Sequence, residues 1–359
     1  MHGSAKVSEY IYRSDLINSK FDTRYINISS ESELSSLGKM NIKKVIRSIG
    51  SIGVTLVTLL RFKPSLCHFC FHPFGLVLIT NVLLLTILRL FRVRVVLHMH
   101  CKGIENTAES KFRTRIYRHI FSNNSVILLD KRLYRDIAHL GEFKKPIYYL
   151  ANGVNDLPQD KKTLTQEQTE AKTIQFLFLS NLMPQKGAHD LLDAFYLLQN
   201  RGVDNISLVI AGASIDKPYD EKLKSKLISM GNHTQVRFTG NVDENQKEYV
   251  FREADVFVLP TYNDCFPLVI LEAMKYSLPI ISTNVGAIPN IISGQCGKII
   301  ESGDIEQLAQ SMSSYVSNAQ LRNQHALNAR QRQQEFFSLE RFESGLYEIL
   351  MREAIATKT

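Results

Sequence analysis

The second half of this chain alternates short apolar runs with longer segments of helical period. Residues 174–179 (IQFLFL), 207–211 (SLVIA), 236–239, 256–259 and 279–282 read as strands. Helices are predicted between them at 188–199, 219–230, 246–253 and 267–276. Strands regularly spaced by helices predict a parallel, doubly wound α/β sheet. The strands are apolar without alternation, as expected where both faces of a sheet are covered. The first half is of similar type, with strands expected at 23–28, 66–71, 93–98, 125–129 and 147–150.

A chain of 359 residues exceeds what one core usually serves, so two domains are expected. The pattern places an N-terminal Rossmann-like domain at 1–155, a linker at 156–172 and a second such domain at 173–338. The linker segment is polar and lacks apolar periodicity. Leu339, Phe342, Leu346, Ile349 and Leu350 recur at helical spacing, so 339–359 should form a last helix that packs back on the first domain. A doubly wound domain usually opens with a strand whose end meets the ligand. Here His2-Gly3-Ser4-Ala5 leads straight into a predicted helix at 6–17, and the first strand is expected to be absent.

Composition narrows the class. Apolar content of 44% and charged content of 22% are those of a globular protein. Five scattered cysteines fit a reducing compartment better than a disulfide scaffold. Cys67 and Cys70 form a C-x-x-C on a predicted strand with no second pair downstream, a poor metal or redox signal. The N-terminus is too polar for a signal peptide, and the uncharged run 75–88 is too short to span a membrane. It should be a buried or interfacial helix.

Charge is unevenly placed. Residues 1–150 hold 23 Lys/Arg against 10 Asp/Glu, whereas the remainder holds 20 against 25. A basic lobe suits an anionic surface or phosphates, or is simply a solvated face. Lys43, Lys44 and Arg47 precede the apolar run 49–60, a pattern compatible with an anionic bilayer.

Ligands of open α/β sheets bind beyond the carboxyl ends of the strands, and four places there carry polar residues. After 174–179 come Asn181 and Lys186, then Gly187 and a helix. A lysine at a helix N-terminus opposes the dipole unless an anion is present, so it is either a phosphate ligand or an exposed lysine of no consequence. After 256–259 comes Asp264, with Pro267 at the first position of a helix in which Glu272 is the single charge among Leu268, Val269, Ile270, Leu271, Ala273 and Met274. A carboxylate on an apolar helix needs a partner, either a polyhydroxyl ligand or Lys275 three residues on. After 93–98 come His98 and His100, which suit a phosphate or sugar hydroxyl, or a structural role, better than a metal. Gly240, Asn241 and Val242 end the strand 236–239 and could meet a flat base.

Through these residues nearly the whole chain resembles glycosyltransferase family 4, retaining enzymes of the GT-B fold, most strongly over 174–297. Asp264-Cys265-Phe266-Pro267 through Glu272-Ala273-Met274, then Leu278-Pro279-Ile280-Ile281, is similar to the family's Glu-x7-Glu element. Thr283-Asn284-Val285-Gly286-Ala287-Ile288-Pro289 resembles its T-D-V-G-G-I-P. The resemblance implies two Rossmann-like domains facing a central cleft. It implies that Glu272 holds a donor ribose, with Gly240 and Val242 on the donor side. Asp264 would face the donor sugar, with the N–H groups of Phe266 and Leu268 near the donor hydroxyls and phosphates. Lys186 would lie on the diphosphate beside Asn181, His100 near the transferred sugar, and Gly3 in the glycine loop of the first domain.

Asp264 stands for the family's first Glu and shortens that arm by one methylene. Pro267 replaces a glycine and removes a donor. Asn181 stands where many relatives carry arginine.

The implied function is retaining transfer of a sugar from a nucleotide-sugar to a glycan or lipid-linked glycan in cell-surface polysaccharide synthesis. His100, Asp264 and Lys186 would carry the catalysis. No Asp-x-Asp element is apparent in a suitable loop, so no metal or other cofactor is expected. The protein is expected in the cytoplasm, peripheral at the inner face of the plasma membrane, without a nucleic-acid partner. Two alternatives stay open: a nucleotide-sugar epimerase on the same fold, or a non-catalytic sugar-nucleotide-binding protein.

Overall fold

The structure is a computed structural model that describes residues 3–28, 42–157, 173–231 and 235–356. The chain forms two compact units, one of Met1–Asn152 with Leu339–Thr359, the other of Gly153–Ser338. His2, most of the expected linker, and the side chains of Lys43, Lys44 and Arg47 lie outside the described residues.

The first unit opens with α1 (Gly3–Arg13) and α2 (Asp15–Lys20), where one continuous helix over 6–17 was expected. Ser14 divides them: its backbone is extended and its hydroxyl accepts from the Ile17 N–H, capping α2. Residues 23–28 pair with no strand among the described residues, a correction to the expected first strand of the set. After α3 (Ile42–Phe62) come β1 (Leu66–Phe71), α4 (Gly75–Leu90), β2 (Arg94–Met99), α5 (Lys111–Asn123), β3 (Ser125–Leu128), α6 (Arg135–Ala138) and β4 (Ile147–Tyr149). The four strands are parallel in the order β1-β2-β3-β4. Phe71, Leu97, Tyr117, Phe121 and Val126 fill the core between sheet and helices.

The second unit contains β5 (Ile174–Leu179), α7 (Ala188–Asn200), β6 (Ile206–Ala211), α8 (Lys217–Met230), β7 (Val236–Gly240), α9 (Glu244–Glu253) and β8 (Val256–Leu259). It continues through α10 (Leu268–Lys275), β9 (Ile280–Thr283), α11 (Ile288–Ile291), β10 (Gly297–Ile300), α12 (Ile305–Ser317) and α13 (Ala319–Phe336). Its six parallel strands run β10-β9-β8-β5-β6-β7. The chain winds outward from β5 to β7, then returns to the other side of β5 and winds outward again through β8 to β10. The carboxyl ends of β5 and β8 are therefore the topological switch point, where such sheets leave a crevice. Asp156 and Leu157, assigned to the linker from polarity, instead pack on this unit. Asp156 pairs with Arg330 at 2.5 Å and Leu157 is buried.

The last helix, α14 (Leu339–Ile355), packs on β1, β2 and α2 of the first unit through Phe342, Leu346, Ile349 and Leu350. Its buried Glu353 accepts from Ser125 Oγ at 2.6 Å and Tyr148 Oη at 2.9 Å, and lies 3.5 Å from Arg94 Nη1. A buried carboxylate so surrounded is satisfied rather than stranded.

Candidate active site

At the switch point of the second unit, the loops after β5 and β8 are tied together by their backbones. Tyr262 N–H donates to Gln185 O at 2.9 Å, and Thr261 Oγ1 donates to the same oxygen at 3.0 Å. Gly187 stands between them at φ +76, and a Cβ there would come within 2.0 Å of Pro260 O. Only glycine combines that left-handed backbone with so close an approach. Gly286 does the same for the loop after β9, where a Cβ would lie 2.3 Å from Asp264 O. Ala287 N–H donates to Cys265 O at 3.0 Å and holds that loop shut.

This scaffold brings Lys186 and Asp264 together. Lys186 Nζ lies 2.5 Å from Asp264 Oδ2, and both side chains are mostly shielded. Lys186 ends a short 3-10 turn just before α7, so it sits where that helix leaves its first N–H groups unpaired. Asn181 is half-buried at the start of the same loop. Helix α10 begins at Leu268 and Pro267 is its N-cap, one residue earlier than the first helical position expected for it. Proline offers no capping side chain; Ile270 N–H donates to Pro267 O at 3.1 Å, which leaves the N–H groups of Leu268 and Val269 open to an acceptor. Phe266 and Leu268 are buried at this point.

Glu272 is 6% exposed on α10 and has a protein partner on another helix. Lys247 Nζ of α9 lies 2.7 Å from both carboxylate oxygens. Gly240 ends β7 at φ +71, and half-buried Val242 follows two residues before α9. The β7–α9 segment that carries these two therefore also supplies Lys247. Sequence reasoning overlooked Lys247, although its signal was present: it precedes buried Val250 and Phe251 by three and four residues, on the inward face of α9.

His100 and Gly3 belong to the first unit. Gly3 is the exposed first residue of α1. His100 follows β2 and its ring lies against that of His98, with centroids 4.1 Å apart and planes tilted by 37°. His98 in turn shares a hydrogen bond of 3.0 Å with His68 of β1, a member of the cluster that the sequence reading did not single out. Burial depresses all three imidazoles, His68 to about 4, His100 to about 3 and His98 well below its ordinary value. They are neutral at physiological pH. Neither ring nitrogen of His100, nor Nε2 of His98, has a partner among the described residues. Among the described residues no group of three His, Cys, Asp or Glu is placed to hold a metal. Cys67 and Cys70 are free thiols, and Cys67 is pushed up to about 12 by burial.

Residues 160–332 match the family model Glycosyl transferases group 1. The chain is 28% identical over 162 residues to the capsular polysaccharide biosynthesis glycosyltransferase CapM of Staphylococcus aureus, covering 45% of this chain and 41% of CapM. It is 29% identical over 179 residues to the phosphatidyl-myo-inositol mannosyltransferase of Mycobacterium leprae, covering 49% of this chain and 46% of that protein. The chain thus spans less than half the length of either relative. The crystal structure of Anabaena HepE in complex with UDP superposes with a TM-score of 0.69 at 18% identity, over 84% of this chain and 81% of that one. That likeness is one of fold, the GT-B arrangement of two parallel α/β units.

Proposed function

We propose that this chain, whose second unit belongs to the glycosyl transferases group 1, moves a sugar from a nucleotide-sugar donor to a glycan or lipid-linked glycan. The observation that carries this reading is the Lys186–Asp264 pair at the switch point, framed by the unpaired N-termini of α7 and α10. Breaking the bond between sugar and diphosphate puts negative charge on the leaving phosphate. A lysine and preorganised N–H groups stabilise that charge more than the ground state, which is what accelerates the step. Lys186 leaves Asp264 for the diphosphate when donor binds, and Asp264 is freed to accept from the sugar hydroxyls. Glu272, paired with Lys247, accepts from the ribose, and His100, being neutral, can hydrogen-bond the transferred sugar. The acceptor hydroxyl attacks from the leaving-group side, its proton passes to the departing phosphate oxygen, and configuration is retained, without a metal.

HepE holds UDP, and UDP-sugars therefore head a donor panel with GDP- and dTDP-sugars. A ligand at 100-fold its Kd raises stability by about 2.7 kcal/mol, readable as a thermal shift. Incubation with a labelled donor and oligosaccharide should then place label in the glycan with the donor's anomeric configuration, in the presence of EDTA. Inversion rejects the retaining mechanism, and label that stays in the nucleotide-sugar pool supports the epimerase. A chain that binds no donor, or binds it equally well as Glu272→Ala, has no donor site here.

The acceptor reading is joined to attachment at an anionic membrane surface in cell-surface polysaccharide synthesis. No helix among the described residues is long and apolar enough to cross a membrane. Yet α3 exposes Ile49, Val54, Val57 and Leu60, and α4, packed against it, exposes Val77, Ile79, Leu83 and Leu90. Contiguous apolar side chains on neighbouring helices of a basic unit suit the headgroup–acyl boundary.

A further inference from the structure

We infer that an open cavity at the amino-terminal edge of the first unit's sheet binds the phosphate of an anionic phospholipid headgroup. The inference rests on the surface-attachment reading and gives it a lipid site. The cavity has a volume of about 700 Å³ and lies between α4, α5 and the starts of β2 and β3. Arg89, Arg92, Arg94, Arg115, Lys145 and His119 line it, and no carboxylate does so among the described residues. Two of these cations are engaged. Arg94 donates to the Glu353 and Ala356 carbonyls at 2.9 and 3.0 Å, and Arg89 meets His119 at 2.8 Å. Arg92, Arg115 and Lys145 have no partner among the described residues.

A simpler reason exists for part of this charge. Arg89 and Arg92 sit at the carboxyl end of α4, whose dipole favours cations. It does not account for Arg115, which comes from the middle of α5, or for Lys145, which precedes β4. Nor does it explain why Arg92 occupies the left-handed position after α4, at φ +58, which usually falls to glycine. That backbone is unfavourable for a residue with a Cβ. In return a long cation is aimed from the helix end beside the cavity.

The remaining lining decides the class of anion. Val82, Leu85, Ile116 and Ile120 give the cavity an apolar floor. Leu90, next in sequence to the lining Arg89, and Phe112, one turn before the lining Arg115, are each 75% exposed. Phe112, Arg115, Ile116 and His119 share one face of α5 at helical spacing, so apolar and cationic groups face the same ligand. A free inorganic phosphate needs only the cations. An amphiphile with a phosphate beside its acyl chains matches both, and the exposed stripe Ile79, Leu83 and Leu90 on α4 continues the apolar surface. The cavity is at the opposite ends of the strands from His98 and His100, so it anchors rather than reacts.

Co-sedimentation of the full chain with phosphatidylcholine vesicles, with and without phosphatidylglycerol, tests the site. The wild type should bind the phosphatidylglycerol vesicles, and R92A/R115A/K145A should weaken that binding by at least about tenfold. A control with equal charge loss elsewhere on the unit, K20A/K131A/R135A, should retain most of it, and all three proteins should show the same thermal unfolding. If the cavity variant binds as well as the wild type, the headgroup site is wrong while surface attachment stands. If the wild type sediments with neither vesicle, attachment and site fall together. Release of the wild type by millimolar inorganic phosphate, at constant ionic strength, would mean that the cavity takes free phosphate and not lipid.

Discussion

Lys247 of α9 reaches across to Glu272 of α10 and stands 2.7 Å from its carboxylate, so this buried charge has a cationic partner before any ligand arrives. Removing one member of a buried ion pair leaves the other uncompensated, at about 3–5 kcal/mol. Lys247→Ala should therefore lower the melting temperature by about 6 °C or more. The double substitution K247M/E272L should recover much of the loss, because an apolar pair of similar volume carries no stranded charge. Calorimetry of the two variants decides it, and equal melting points for Lys247→Ala and wild type would show the pair to be incidental.

Lys186 is predicted to matter far more for turnover than for folding. Its partner Asp264 keeps some solvent contact, so loss of the amine is tolerated in the free protein. In the transition state the same amine faces developing phosphate charge. Lys186→Met should cut kcat by about 100- to 1,000-fold, the usual consequence of losing one preorganised charge-stabilising group. Steady-state kinetics check this, with thermal unfolding as the folding control.

Gly187→Ala should be strongly disruptive and Gly202→Ala mild, although both residues have positive φ. At Gly187 a Cβ would strike Pro260 O at 2.0 Å, whereas at Gly202 it meets open space. The strained backbone alone costs about 1–2 kcal/mol, which is all that Gly202→Ala should show. Gly187→Ala should exceed that and also weaken donor binding, since it pushes apart the loops that carry Lys186 and Asp264. Denaturant melts and donor titrations of the two variants compare the effects directly.

The clustered histidines predict acid sensitivity of the first unit. In the unfolded chain each imidazole titrates near 6.5. In the fold burial holds His68 at about 4 and His100 at about 3. Between these limits the unfolded state binds more protons, so stability is full above pH 6.5 and is lost as pH falls, by up to about 1.4 kcal/mol per unit per histidine. Hydrogen exchange of β1 and β2 amides at pH 7.5 and 5 measures the loss. His68→Gln should reduce the difference between the two pH values, and an unchanged difference would remove His68 from the account.

Much of the second unit was legible in the chain. Continuous apolar strands such as 174–179 and 256–259 have no other stable place than the middle of a parallel sheet. Glu272, isolated on an apolar helix, announced that a partner had to exist. The first unit was less legible: residues 23–28 carry strand-like residue types, yet they join no ladder among the described residues. Ser14 likewise split a helix through a local hydroxyl bond that the periodicity of 6–17 did not register.

What the sequence determined alone was therefore the alternation of elements, the position of glycines such as Gly187 and Gly286, and the residue types at the strand ends. These depend on local backbone preference and on burial, which the order of residues encodes directly. Which charges meet was decided only by the tertiary structure. Lys186 and Asp264 are 78 residues apart, and Lys247 and Glu272 are 25 apart, and each pair is joined by the order in which the strands assemble. Strand order places the carboxyl ends of β5 and β8 side by side, and a salt bridge is set by distance in space, which sequence spacing does not contain.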